Sequence, residues 1–279
     1  MARQQSCIDH FKIIGLALHN YHDVFRVFPP GNIWEPDPKR TPHNNGASVL
    51  FLPFVEQAAV YNTFNFSVGS WTFVQNQTTR TQRLEVYLCP DDVLVTETAK
   101  SDPSGEPTNV AFSLGSTAWC THRDLDGPKP QGVFFDNSST GIRDITDGTS
   151  FTVLAAEQLI DRVGRSGSAE LNNGDCSGDL TAGEQFHQRS GTRWVAGHPS
   201  SGYFNSRRTP NHAQADCFHG AVPGGVGFLN KVPRSRHEGG VNVLMSDGAA
   251  RFIRDAIELA VWQALNTRAG AEQVDRNAF

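Results

Sequence analysis

No stretch of 18 apolar residues occurs in the chain, so nothing within it reads as a membrane-spanning helix, and no charged, apolar, small-residue leader pattern opens it. Read literally, these absences predict a soluble protein. Positive charge is not in excess: 24 Lys and Arg stand against 29 Asp and Glu, with no basic cluster to track a phosphate backbone, so nucleic acid is not an expected partner. The five cysteines never form CxxC, which excludes a zinc ribbon or a thioredoxin-type motif. GxSxG, a nucleophilic Cys with an adjacent base motif and a phosphate-cradling Gly loop before a helix are all missing. The chain is therefore not expected to be an enzyme, and no catalytic residues are assigned.

What is present is Gly and Pro, 26 and 15 of them in 279 residues, among many Asn, Asp, Ser and Thr. That composition points to short strands and long connections rather than a helical bundle. Ile8, Phe11, Ile14, Gly15, Leu18, Tyr21, His22 and Phe25 recur at three- and four-residue steps, predicting one helical stripe that "FPPG" at 28–31 terminates. The stretch 47–66 reads as a strand or a pair of short helices broken at Pro53, and "TQRLEVYLCP" as a short strand ending at Cys89. The segment 131–158 reads as strand, turn, strand about Asp147-Gly148.

Near the end, "VNVLMS" and "AARFIR" flank Asp247-Gly248, the pattern of a hairpin closed by a two-residue loop with both residues at positive φ. A closing helix over 255–270 is expected, with Asp255 as its N-cap and Ala256, Leu259, Ala260, Trp262 and Leu265 on its apolar side. His237 stands nine residues ahead of this Asp-Gly pair. A strand between them would separate the two ends by roughly 20 Å, so they cannot share a metal ion. Asp247 is then a turn residue, and His237 with Gly239 and Gly240 opens a strand that needs positive φ or close backbone approach.

"SCIDHFKIIGLALHNYHDVFRVFPPG", "LCPDD", "ITDGTS", "RHEGGVNVLMSDGAARFI" and "LNTRAG" occur in this order. In these motifs the chain resembles the prepilin-type H-x9-DG proteins, the domain-of-unknown-function 1559 family expanded in planctomycetes. Phe151 departs from the pattern, standing where an Asn is expected. The resemblance implies a pilin-like α+β fold: a long N-terminal helix packed on an antiparallel sheet, a loop-rich insertion, and a C-terminal hairpin plus helix. Residues 1–30 would be the soluble half of the helix and 31–279 a β-rich head, with the insertion at about 161–232. The resemblance further implies a pseudopilin-like subunit of the cell envelope, displayed outside the cytoplasmic membrane and anchored by an apolar segment upstream of this sequence. Its partners would be itself or related pilin-like subunits in a pilus or type II secretion-like filament. In this reading His237, Gly239, Gly240, Asp247, Gly248, Asp147 and Gly148 are structural signature residues. Disulfides are permitted at that location: Cys7 and Cys89, both in matching segments, are paired, as are Cys176 and Cys217 within the insertion, with Cys120 left as a buried thiol.

The competing reading is an extracellular glycan- or ligand-binding module using the 161–232 insertion. Trp194, Tyr203 and His212 are its candidate ligand-binding residues, since aromatics among polar groups suit stacking on a polysaccharide; the same aromatics also suit anchoring a loop to the sheet. No metal ligands are assigned. His19, His22 and Asp23 lie within a helical turn, and His187, His198, His212 and His219 lie at irregular spacing, but packing is the preferred reading for the first set and the second lacks a helical register. Asp144, Asp147, Thr149 and Glu157 offer oxygen ligands for calcium without EF-hand spacing, and turn capping by Asp147 and Thr149 is preferred, so no cofactor is expected.

Overall fold

The computed structural model describes residues 2–34, 44–70, 73–92, 105–117, 129–160, 190–213, 216–219 and 228–279. Its helices are α1 (Ala2–Phe25), α2 (Ala47–Leu50), α3 (Ala58–Tyr61), α4 (Gln77–Arg80), α5 (Pro199–Gly202) and α6 (Leu259–Ala264). The strands are β1 (Asn32–Ile33), β2 (Asn45–Gly46), β3 (Val110–Ser113), β4 (Val153–Glu157), β5 (Tyr203–Phe204), β6 (Cys217–His219), β7 (Phe228–Asn230), β8 (Gly240–Met245) and β9 (Ala250–Arg254). Five strands form one sheet in the order β5-β3-β4-β8-β9. The pairs β3–β4, β4–β8 and β8–β9 are antiparallel, whereas β5 joins the edge parallel to β3. The fold is α+β, as the sequence leads one to expect, with a mixed rather than purely antiparallel sheet.

α1 crosses β8 and β9 and buries Cys7, Phe11, Ile14, Ala17, Leu18 and Tyr21. Leu244 and Leu154 meet this layer from the sheet. The opposite face carries Val153, Ala156, Val241, Val243, Met245 and Ile253 beneath Trp262 and Leu265. Because both faces are covered, β4 is buried at all positions, and its period-2 pattern is hidden in the burial. Phe25 departs from the expected stripe and is 54% exposed: the chain leaves the helix through Arg26 at φ 63, and the Phe25 ring stacks on Tyr21 at the surface, 4.4 Å between centroids.

Four local expectations are corrected. Glu85–Tyr87 is a 3-10 turn, not a strand. That turn aims Leu84 and Tyr87 inward, where the Tyr87 hydroxyl donates to Ser48 O at 2.7 Å. Asp147-Gly148 joins two 3-10 turns, Ile142–Asp144 and Thr149–Phe151, instead of closing a hairpin. The Asp147 carboxylate accepts from Gly270 N at 2.7 Å, Ala271 N at 2.8 Å and Thr267 Oγ1 at 3.0 Å, so it caps the C-terminal segment.

The third correction concerns the β8–β9 turn, a three-residue loop. Gly248 N donates to Met245 O, Met245 N donates to Ala249 O, and only Gly248 is left-handed, at φ 85. Asp247 instead accepts from Ala249 N at 2.9 Å. This matches a type I turn followed by a left-handed glycine. Finally, α6 is short: Glu258 rather than Asp255 precedes it, and Ala256, Leu259 and Ala260 face solvent while Trp262 and Leu265 are buried. Asp255 is used elsewhere, accepting from Asn211 Nδ2 at 2.9 Å.

Where it is described, the segment expected as an excursion belongs to the core. It supplies β5 to the sheet and buries Trp194, Val195, Tyr203, Phe204, Leu229 and Val232. Cys120, Cys176 and His187 lie outside the described residues, as do the side chains of Cys217 and His219, so the second expected disulfide falls there, and of the irregular His set His198 and His212 alone are described.

Candidate functional site

The start of β8 and the end of β4 lie side by side, and their polar residues point into the layer beneath the first turns of α1. Gly239, at φ 78, turns the chain into the strand, and a Cβ on Gly240 would sit 2.2 Å from Ile253 O. Both reasons expected for glycine at the head of this strand therefore operate, one at each position. The turn places His237 inside, with 2% of its side chain exposed.

Its Nε2 lies 2.9 Å from Glu157 Oε1 and its Nδ1 lies 3.0 Å from Asp91 Oδ2. An imidazolium, donating from both nitrogens, satisfies both carboxylates. The hydrogen bond to Glu157 raises the His237 pKa, burial opposes it, and the charges of Glu157 and Asp91 add to the rise. Glu157 is held in turn by Asn242, whose backbone N–H donates to Oε2 at 2.7 Å and whose Nδ2 donates to Oε1 at 3.0 Å.

Against this group stands a disulfide between Cys7 of α1 and Cys89, with Cα atoms 5.1 Å apart. Cys89 Sγ is 3.7 Å from His237 Nε2. The ligand-type atoms of Cys7, Cys89, Glu157 and His237 all lie within 4.8 Å of one another, and all four residues are buried. A cavity of about 10 Å³ adjoins them, lined by Cys7, His10, Phe11, Cys89 and Glu157 among others.

Four of the five residues of "LCPDD", Leu88, Cys89, Asp91 and Asp92, serve this corner. Leu88 O accepts from His10 Nδ1 at 2.8 Å, Cys89 N donates to Asn109 Oδ1 at 2.8 Å, and Asp91 holds His237. Asp92 Oδ2 accepts from Asn109 Nδ2 at 2.8 Å and Ile160 N at 2.9 Å.

The other end of the motif also meets α1. A Cβ on Gly15 would lie 2.8 Å from Leu244 Cδ1 and 3.1 Å from Gly248 O, and one on Gly248 would lie 3.5 Å from His19 Cδ2. The helix is thus held near Cys7 by the His237 end and near Gly15 and His19 by the Asp247-Gly248 end. From Cys7 to Gly15 or His19 is roughly 12 to 18 Å of helix, and β8 is roughly 17 Å long. The spacing between His237 and Asp247 is therefore that of a strand clamped to the helix at both ends.

His237, Gly239, Gly240, Asp247 and Gly248 thus act along one strand, while Asp147 and Gly148 act separately at the C-terminal segment. Trp194 and Tyr203 are each 1% exposed, so neither ring offers a face to a sugar. Trp194 lies 5.8 Å from the Tyr87 ring and donates from Nε1 to Gln82 O at 2.9 Å. His212 is half-buried, and its carbonyl accepts from Arg234 Nη1 at 2.7 Å.

Of the oxygen ligands considered for calcium, Asp144 accepts from Gly141 N, Asp147 caps the C-terminal segment, and Glu157 lies at the far end of β4 from Thr149, bound to His237. His22 Nε2 accepts from Ile142 N at 3.2 Å, and His19 packs edge-on to Phe28. The convergence of Asp91, Glu157, Asn242 and His237 was not assembled from sequence. Its one visible sign is the polar residues set in otherwise apolar strands, Glu157 after "VLAA" and Asn242 within "VNVLM".

The family model described as "Protein of unknown function (DUF1559)" matches residues 1–260. The chain belongs to the DUF1559 family. No curated protein and no solved structure matches it. The match spans α1, the sheet and the clamp, so the geometry around His237 lies within the part of the chain that carries DUF1559 membership.

Proposed function

We propose that this DUF1559 chain is a non-catalytic, pseudopilin-like subunit of the cell envelope, whose long N-terminal helix packs against the helices of further copies or related subunits while the sheet domain is displayed. One observation supports this reading above the others. Away from the buried face of α1, Ile13 is 47%, Leu16 64% and Val24 62% exposed. Ile13, Leu16 and Val24 recur at helical spacing, and a groove of about 560 Å³ runs beside Ile13 and Leu16, lined by Phe54, Leu84 and Val86 together with Glu56, Arg83 and Glu85 among others. An apolar stripe left uncovered on a long helix, with a groove of mixed apolar and charged lining alongside, fits a second amphipathic helix laid along it. No described helix is itself long and apolar enough to cross a membrane.

The clamp supports the same reading. A helix that bears load from neighbouring subunits needs firm attachment to its own sheet, which the disulfide and the His237 group supply at one end and the Gly248 contact at the other. The test is Leu16→Glu in the protein expressed from its own gene. The substitution is expected to leave the isolated chain folded, since Leu16 faces outward, and to abolish its recovery in high-molecular-weight envelope assemblies. Undiminished recovery would remove the helix stripe as the assembly surface.

A further inference from the structure

We propose that, when Cys7 and Cys89 are reduced, their two thiolates, His237 Nε2 and Glu157 Oε1 form a tetrahedral site for a divalent transition metal of the zinc type. The structure brings four suitable donors together without any element having to move far, their ligand atoms lying within 4.8 Å of one another. In a tetrahedral zinc site the donors sit about 2.0 to 2.3 Å from the ion, which places neighbouring donors about 3.3 to 3.8 Å apart. Cys89 Sγ and His237 Nε2 already stand 3.7 Å apart. Rotation of the freed Cys7 and Cys89 side chains opens the remaining edge, and the adjoining cavity of about 10 Å³ lies on the side lined by Cys7, Cys89 and Glu157.

The outer partners also suit a metal ligand. His237 Nδ1 faces Asp91 at 3.0 Å, the carboxylate–histidine arrangement that fixes the tautomer and ring orientation of a ligating imidazole. Asn242 holds both oxygens of Glu157, its backbone N–H on Oε2 and its Nδ2 on Oε1, and so orients the carboxylate with Oε1 toward His237 Nε2.

Reduction breaks the S–S bond. An external dithiol supplies two electrons and two protons, becoming a disulfide itself, and the protein gains two thiols. Binding one divalent ion then forms two metal–sulfur bonds, one metal–nitrogen bond and one metal–oxygen bond. The two thiol protons and the Nε2 proton of the imidazolium leave to solvent, while Nδ1–H stays on Asp91. The disulfide and the metal site exclude each other, so the same corner clamps α1 by a covalent bond when oxidised and by metal coordination when reduced.

Cobalt(II) added to the whole chain tests this, with circular dichroism reporting the fold. The reduced protein is expected to bind one equivalent, with the intense visible bands of tetrahedral thiolate coordination, which zinc then displaces; the oxidised protein should show no such bands. Asp91→Asn, whose side chain sits at the rim and does not contact the ion, should keep the fold and weaken zinc binding about 10- to 100-fold. His237→Ala should weaken it at least as much. If reduced, folded protein gives no tetrahedral spectrum at one equivalent, the proposal fails. It also fails if the Cys7→Ser/Cys89→Ser double variant gives the same spectrum, or if both Asp91→Asn and His237→Ala bind as tightly as the parent.

Discussion

Replacing His237 by alanine in the oxidised protein removes one ring and two contacts with ionised partners, Glu157 at 2.9 Å and Asp91 at 3.0 Å. Hydrogen bonds to charged groups contribute about 1.5 to 3 kcal/mol each, and removing one member of a buried ion pair costs about 3 to 5 kcal/mol because the other is left uncompensated. The two carboxylates fare differently. Asp91 is 25% exposed and can rehydrate, so its share falls at the low end. Glu157 is 2% exposed and keeps only its bonds from Asn242. The loss expected is about 3 to 4 kcal/mol, a large part of the roughly 5 to 15 kcal/mol that holds a domain together. Urea unfolding with the disulfide intact should show a lower midpoint at unchanged slope. Adding Glu157→Gln to His237→Ala should cost less than Glu157→Gln costs alone, because the buried charge that lost its partner is gone. A loss under about 1 kcal/mol for His237→Ala, or strict additivity of the two substitutions, would refute the claim that the motif histidine is an electrostatic clamp.

The Cys7–Cys89 bond spans a sequence separation of 82 residues. Closing a loop of that length restrains the unfolded chain by about 4.5 kcal/mol, so Cys7→Ser/Cys89→Ser should lower the unfolding midpoint correspondingly under oxidising conditions and match the parent more closely under reducing ones. Equal stability of the two proteins when oxidised would contradict it. His22 should titrate low. Burial lowers its pKa, partly opposed by Asp23 and reinforced by His19 and Arg26, and its Nε2 must be unprotonated to accept from Ile142 N–H. A folded-state pKa below the unfolded value of about 6.5 means that its contribution to stability is present above that pH and is lost as pH falls toward the folded pKa. An NMR titration of the His22 ring giving a midpoint above about 6.5 would overturn this sign.

Much of the architecture was legible because it rests on local pattern. The helical stripe, the Pro stop and the alternating runs around Asp247-Gly248 each carry a period or a turn residue with one physical reading, and α1, β8 and β9 lie close to where those patterns put them. Asp147-Gly148 has the same dipeptide as the hairpin but lacks the pairing strand, so the dipeptide alone misled. Glu85–Tyr87 misled for a different reason: with Leu84 and Tyr87 three residues apart, a tight turn buries both as well as a strand buries alternate positions. The polar cluster was not legible because its members come from residues 7, 89, 91, 157, 237 and 242, and only tertiary pairing of β4 with β8 brings Glu157 beside Asn242. Trp194 and Tyr203 read as loop anchors or as ligand-binding aromatics, the anchor being the preferred reading of the sequence, and both side chains are buried.

Photo-cross-linking in cells tests most directly whether α1 carries the assembly surface. A photoreactive residue placed at Leu16, with a control at Arg254 on the exposed end of β9, should give a ladder of products containing further copies of this chain or related subunits from position 16 and monomer from position 254. Monomer alone from position 16, in cells where the protein is folded and its disulfide formed, would contradict the account.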